Sequence, residues 1–313
     1  MTPYRDTSWS PLFASFPPDC VPPADSFAEP DAPLQRLLNV VLLDMTKRGF
    51  GIRWTPDAPD ARFVVFRDGE RLGEENPSPA LAAAFLGRLR EMSGLRQPPP
   101  EVGRITLLLG ESRSAVFAVH ARLAGERERV IVSPLRGVDA PRPLPNEAND
   151  VTRLLRALEE ARVDDDDAKL ERVLEGARRL KSRMGAQLAA EAALALGHLA
   201  FHEGSDARPR YEESLAHARQ SDPWSVAAAL ECLAGVEAEG GRDPREAFAT
   251  LFAHLDAAFG ASDPVTLGWK SDVVARMVEA DPAIGTTEWR RLRPMFVAVF
   301  GEDDLTVTTL DAP

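Results

Sequence analysis

At GVDAPRPLPNEAN, residues 137–149, the spacing of apolar residues along this chain changes, and that change divides what the chain can fold into. Upstream, RITLLL (104–109), SAVFAVHAR (114–122) and RVIVS (129–133) are runs of β-branched and apolar residues. Turn chemistry at Gly110-Glu111-Ser112 and Ala124-Gly125-Glu126 separates them, so they read as three consecutive strands. Downstream the period lengthens to that of an amphipathic helix over 151–163, 168–184, 188–202, 208–219, 224–239, 244–259, 264–278 and 287–300. Short breaks rich in Gly, Ser, Asp and Pro separate these segments, the pattern of stacked helical hairpins. A Pro-rich stretch that differs in composition from both flanks is where a boundary is expected, and the linker is placed at 138–150.

The upstream region has its own order. Leu34, Leu37, Leu38, Val41, Leu42 and Met45 recur at helical spacing and end at Gly49. Strand patterns follow at 51–54 and 61–66, with Asp68-Gly69 as a tight turn. Ser78, followed by Pro79 at the first helical position, is placed to cap a second helix running through Met92. With the three strands this makes an α+β domain over 33–137. An all-α helical-hairpin repeat domain is expected over 151–300, and a tail over 301–313. Residues 1–32 hold seven prolines and few periodic apolar positions, which is the composition of an extended arm. Its aromatic stretch WSPLFASF (9–16) has the chemistry to dock on the folded part of the chain or on a partner.

An internal repeat supports the hairpin reading. LGHLAFHEG (196–204) followed by YEESLAHA (211–218) compares with LAGVEAEGG (233–241) followed by FATLFAHL (248–255). The offset from Leu196 to Leu233 is close to the period of about 34 residues of tetratricopeptide units. Small residues at Gly197, Ala200, Ala234 and Ala247 would let paired helices approach closely.

Charge removes one class of partner. Residues 1–150 carry 20 acids and 18 bases, whereas residues 151–313 carry 29 acids and 19 bases. A general nucleic-acid binder needs a basic face, so an acidic second half argues against that role. No apolar run approaches the roughly 20 residues a bilayer span needs, and the first residues lack the basic start and apolar core of a secretory signal. A cytoplasmic location without membrane insertion is therefore expected. Cys20 and Cys232 make neither a disulfide framework nor a zinc motif.

A resemblance enters at particular residues. RLLNVVLLDMTKRG (36–49), GFGIRWTP (49–56) and VVFRDGERL (64–72), then FLGRLREMSGL (85–95), PPPEVGRITLLLG (98–110) and GERERVIVSPLR (125–136), resemble the second N-terminal domain of the type II secretion and type IV pilus assembly ATPases. The similarity is collinear over about 100 residues. It implies a PAS-like antiparallel sheet with helices, and in that family basic residues of this domain approach the nucleotide of the adjacent motor. The chain departs from the family where Gly51, Arg53 and Thr55 stand in place of its Asp, His and Glu, and where Val102 replaces an Asp. It also contains no G-x-x-x-x-G-K-[ST] phosphate loop, so ATP hydrolysis is not expected. The helical region resembles tetratricopeptide arrays attached to bacterial regulators, which bind proteins.

Several residues have chemical potential beside a plain structural role. His198 and His202 have metal-ligand spacing on one helix, with His217 on the next, and are read as packing residues. The run Asp164 to Asp167 lacks the Gly and terminal Glu of a calcium loop and is read as an interhelical turn whose last Asp caps the next helix. Ser112, Ser133, Asp68 and His120 do not sit in a nucleophile-elbow motif. No catalytic, cofactor-binding or metal-binding residue is assigned, and no cofactor is expected. Arg104, Arg113, Arg122, Arg127 and Arg129 are the candidate set for holding an anion or an acidic partner surface. The alternative for them is a solvated face paired with Glu101, Glu111, Glu126 and Glu128. The expected function is a non-catalytic adaptor or regulatory scaffold whose partner is a protein, with a pilus or secretion machine as the implied setting. A ligand sensor with a pocket in the PAS-like domain is the other reading.

Overall fold

The computed structural model describes residues 32–55, 62–67, 70–76, 85–87, 89, 92–93, 101–109, 113–124, 127–135, 140–240, 243–302 and 304–311. The arm with its 9–16 stretch, the Asp68-Gly69 turn, the Ser78 cap and the two turns between the last three strands lie outside these residues. The fold is an antiparallel α+β region followed by paired helices, as the two apolar periods require.

Helix α1 (Ala32–Arg48) leads into β1 (Gly51–Thr55), β2 (Arg62–Arg67) and β3 (Glu70–Glu75). Helical residues at Phe85–Gly87, Leu89 and Met92–Ser93 precede β4 (Glu101–Leu109), β5 (Arg113–Ala124) and β6 (Arg127–Pro134). The six strands form one sheet in the order β3-β2-β1-β6-β5-β4, every neighbouring pair antiparallel. Two meanders thus meet at β1 and β6. Gly49 ends α1 with φ of +64°, a conformation that costs a residue with a Cβ more than it costs glycine.

Because side chains alternate across a strand, each strand supplies two layers. Ile52, Trp54, Phe63, Ile105, Phe117, Val119, Val130 and Val132 point to one face, where they bury with Leu38, Val41, Leu42 and Met45 of α1 and with Phe85 and Leu89. Trp54 stacks on Phe63 with ring centroids 5.8 Å apart, and Phe63 meets Phe85 edge to face at 5.6 Å. The opposite face carries Val64, Phe66, Val116, Ala118 and Ile131 together with Arg53, His120, Arg122, Arg129 and Ser133. A half-polar face of this kind ordinarily meets water. Here its members are buried or nearly so.

The reason lies at the other end of the chain. Among the described residues eight long α-helices and one short one follow the sheet: α2 (Ala148–Asp164), α3 (Asp167–Arg178), α4 (Arg183–His202), α5 (Arg208–Ala218), α6 (Pro223–Glu239), α7 (Arg245–Phe259), α8 (Pro264–Ala280), α9 (Pro282–Phe300) and the short α10 (Leu305–Leu310). Two compact units emerge. The first joins the residues up to Gly137 with Ala261–Arg276 and Gly285–Pro313, and the second holds Val138–Gly260 and Met277–Ile284. Residues 264–300 have the periodicity of the repeat domain expected over 151–300, whereas most of α8 and α9 group with the sheet. The helical hairpins are an insertion in a sheet domain that closes only after they end.

Within the second unit each helix packs on the next from α2 to α7, and α4 also contacts α2 and α6. The repeat is visible in this arrangement: LGHLAFHEG and LAGVEAEGG close α4 and α6, while YEESLAHA and FATLFAHL lie in their partners α5 and α7. A Cβ on Gly197 would come within 2.4 Å of the Tyr211 ring, so the α4–α5 approach depends on that glycine. Gly197→Leu is expected to lower the stability of this unit by about 1–3 kcal/mol or more, read from urea melts. An unchanged midpoint would show that α5 can move away freely.

Two local expectations shift. The continuous helix over 168–184 is broken, because Ser182 turns extended and caps α4 by accepting the Gly185 N–H. In the Asp164 to Asp167 turn the cap on α3 is Asp166, which accepts from Lys169 N at 2.8 Å, one residue before the expected Asp167. Asp165 ends α2 with φ of +50°, inside the turn expected over Asp164 to Asp167.

Candidate functional site

The register of β5 against β6 sets Arg122 directly opposite Arg129. Like charges facing each other across a sheet repel, so the arrangement requires carboxylates. They come from residues far along the chain. Asp304, the N-cap of α10, receives Arg129 Nη1 at 2.7 Å on both carboxylate oxygens. Asp272, on α8, lies 3.2 Å from Arg122 Nη1 through Oδ1, close in charge but not aligned as a hydrogen bond. The same Arg122 nitrogen reaches Thr306 Oγ1 at 3.3 Å and Ser271 Oγ at 3.4 Å.

Aromatic rings and helix ends complete the cluster. The Arg129 guanidinium lies 4.8 Å from the Phe300 ring centroid and 5.5 Å from that of Phe296, within cation–π range. Arg53 donates to the Phe300 carbonyl at 3.1 Å, where the end of α9 leaves an acceptor without an intrahelical partner and the helix dipole is negative. Ser133 hydrogen-bonds Asp263, whose other oxygen caps α8 by accepting from Val265 and Thr266 N–H.

His120 is fully buried, and its Nε2 hydrogen-bonds Asp272 Oδ2 at 2.6 Å. Its Nδ1 has no partner, and a Cβ at Gly268 would come within 2.7 Å of it. The imidazole is closed in by α8 on that side. Gly268→Val is expected to force His120 off Asp272 and cost about 1–3 kcal/mol or more, measured by chemical denaturation. A variant as stable as the parent would mean that α8 yields without loss.

The electrostatics follow from burial. Desolvation holds the Arg53 and Arg122 guanidinium groups below their ordinary value, against the attraction of Asp304 and Asp272 respectively. Burial alone would raise the Asp304 carboxyl, but the Arg129 charge and hydrogen bonds from Arg129 and Thr306 outweigh it and hold it below 3.8. A carboxyl depressed on folding contributes stability that is present above its unfolded pKa and lost as pH falls through the lower native one. Melts from about pH 5 to about pH 3 are expected to show a loss of stability that is smaller in Asp304→Asn. Identical slopes for the two proteins would contradict the assignment.

The candidate arginines therefore separate. Arg122 and Arg129 are turned inward onto Asp272 and Asp304, while the side chains of Glu101, Glu111, Glu126 and Glu128 lie outside the described residues. Arg104 is half-buried on β4. Arg113 and Arg127 pair as backbone with Leu109 and Ala124, and their side chains lie outside the described residues. Ser112 and Asp68 also lie outside them. Arg53, Asp272 and Asp304 were missed in the sequence. The signal for Asp304 was local, a carboxylate just before a helical run, but its buried partner was not.

The histidines do not assemble. His198 lies edge to face with Tyr211 at 5.6 Å and its Nε2 is 4.0 Å from Cys232 Sγ, while His217 lies 3.8 Å from Glu213. Among the described residues no group of three His, Cys, Asp or Glu is placed to hold a metal ion. Between α1 and the sheet, a cavity lined by Leu42, Trp54 and Phe63 has a volume of about 10 Å3, room for a water at most. Small-molecule sites are usually some 300–1,000 Å3. No protein-family model matches this chain, and no curated protein matches its sequence.

Proposed function

We propose that this protein is a non-catalytic adaptor that binds other proteins through the inserted helical hairpins α2–α7. The observation that carries this reading is the contact of α4 with both α2 and α6 in addition to its own hairpin partners. Alternate helices then form a continuous row, the arrangement by which hairpin repeats present an extended binding surface. On α6 the half-buried Val226, Leu230, Leu233 and Val236 recur at helical spacing, offering apolar contact to a partner. In this reading the sheet unit is a platform whose arginines hold its own C-terminal helices. No helix among the described residues is long and apolar enough to cross a membrane, and a cytoplasmic site of action is part of the proposal.

The resemblance of 33–137 to the accessory domain of the secretion and pilus ATPases supports looking for the partner in such a machine. The test uses the full chain, because a cut at residue 137 would strip the sheet of α8, α9 and α10. Tagged protein purified from its native cells should enrich a pilus or secretion component, and Leu230→Glu, checked for folding by circular dichroism, should lose it. Recovery of the same unrelated enzymes with both proteins would sink the proposal.

A further inference from the structure

The second unit carries 25 acids against 15 bases, yet one groove on it has a basic rim. Two clefts of about 410 and 390 Å3 meet at Arg153. One lies between Leu144, the start of α2, the end of α3 and Lys181, and the other runs along the outer side of α2 to Glu160. Arg153, Arg156, Arg179 and Lys181 supply the cations.

The carboxylates of the groove are already engaged within the protein. Glu147 is buried and accepts from the backbone N–H of Lys181 at 2.7 Å and of Ser182 at 3.2 Å. Asp150 pairs with Arg153 at 2.9 Å and Glu160 with Lys169 at 2.7 Å. Arg153 is taken by Asp150 and Arg179 lies 3.8 Å from the exposed Glu175, so the outward positive charge of the rim rests on Arg156 and Lys181, with Arg179 only weakly held. Beneath it the wall is apolar: Leu144 is 43% exposed at the mouth, with Leu154 and Leu180 deeper.

We propose that this groove seats an extended segment of a partner protein in which apolar side chains alternate with carboxylates. The inference rests on the adaptor reading and specifies its partner chemistry. Leu144, Leu154 and Leu180 take the apolar side chain, and Arg156, Arg179 and Lys181 take the flanking carboxylates. Charge complementarity on an exposed rim weakens with salt, because the Debye length shortens to a few ångströms at high ionic strength.

Fluorescence anisotropy with the full chain and a fluorescein-labelled peptide, Glu-Leu-Glu-Leu-Glu, tests this. Saturable binding is expected, lost when Ser replaces Leu or Lys replaces Glu in the probe. Reversing two rim charges in Arg179→Glu/Lys181→Glu should weaken it about tenfold or more, as should molar salt. Absence of saturable binding, equal binding of the Ser probe, or unchanged affinity in the double variant would each overturn the proposal. So would a self-association, seen by sedimentation, that the double variant abolishes while the peptide fails to bind, since the occupant would then be a second copy. If the double variant still captures the same cellular partner as the parent, the groove is wrong and the adaptor reading stands.

Discussion

A chain ended at Gly260 is expected to lose the folded sheet while keeping helical content from α2–α7. Removing residues 261–313 uncovers Val64, Phe66, Val116, Ala118 and Ile131, none more than 8% exposed in the full chain. It also removes Val265, Leu267, Trp269, Val273, Val274, Phe296 and Phe300, which bury in the same chain. Each large side chain contributes about 1.5–3 kcal/mol by burial, against about 5–15 kcal/mol for the net stability of a whole domain. The loss exceeds what the sheet can bear, and Arg53, Arg122, Arg129 and His120 would lose their partners besides. Hydrogen exchange is the direct measurement: amides of β5 and β6, slow in the full chain, should exchange as in an unfolded segment. Protected strands in the shortened chain would show that the sheet stands alone and that the C-terminal helices are an appendage.

Asp272→Ala should cost about 3–5 kcal/mol, the range for breaking one partner out of a buried ion pair. The carboxylate serves both His120 Nε2 and Arg122, and the latter sits in contact range of no other carboxylate oxygen closer than that 3.2 Å among the described residues. Arg53 Nε and Arg129 Nε and Nη2 are already buried without acceptors, so this face has little capacity to absorb another unpaired cation. Adding Arg122→Met to Asp272→Ala should recover part of the loss, because an apolar side chain removes the orphaned charge. As a control, Asp150→Ala removes a pair whose side chains are 54% and 76% exposed and should change stability by about 1 kcal/mol or less. Urea denaturation of the four proteins decides the matter. A loss for Asp272→Ala no larger than for Asp150→Ala would mean that the buried pair holds nothing together.

Much of the local structure could be read in advance, for identifiable reasons. Alternation over 104–109, 114–122 and 129–133 anticipated β4, β5 and β6, and the run ended by Gly49 anticipated α1. In these segments the period of apolar residues and the turn chemistry at the ends agree. The offset of the repeat anticipated that α4 and α6 play equivalent parts. The break at Ser182 was hidden because Leu180, Met184 and Leu188 continue the helical spacing straight across it.

The candidate site was less legible. Arg122 and Arg129 stand at alternating positions, and a charged residue so placed looks the same in sequence whether it meets water or a buried carboxylate. Asp272 and Asp304 lie 150 and 175 residues further on from those arginines, the first in a segment with the periodicity of the repeat helices and the second in the segment expected to be a tail. An amphipathic pattern states that one face of a helix is apolar. It does not state which surface that face covers.

The sequence by itself determined the kinds of element, their order and the change of architecture near residue 137, because these depend on spacing and backbone chemistry within a few residues. Only the tertiary structure decided that most of α8 and α9, with α10, return to the sheet and that Arg53, Arg122 and Arg129 are internal fasteners. It also decided that Arg153 and Arg156, distant in sequence from Arg179 and Lys181, line adjoining clefts with them on the hairpin unit. Each of these depends on pairs of residues brought together across long stretches of chain, where burial and charge are settled by the partner and not by the neighbours.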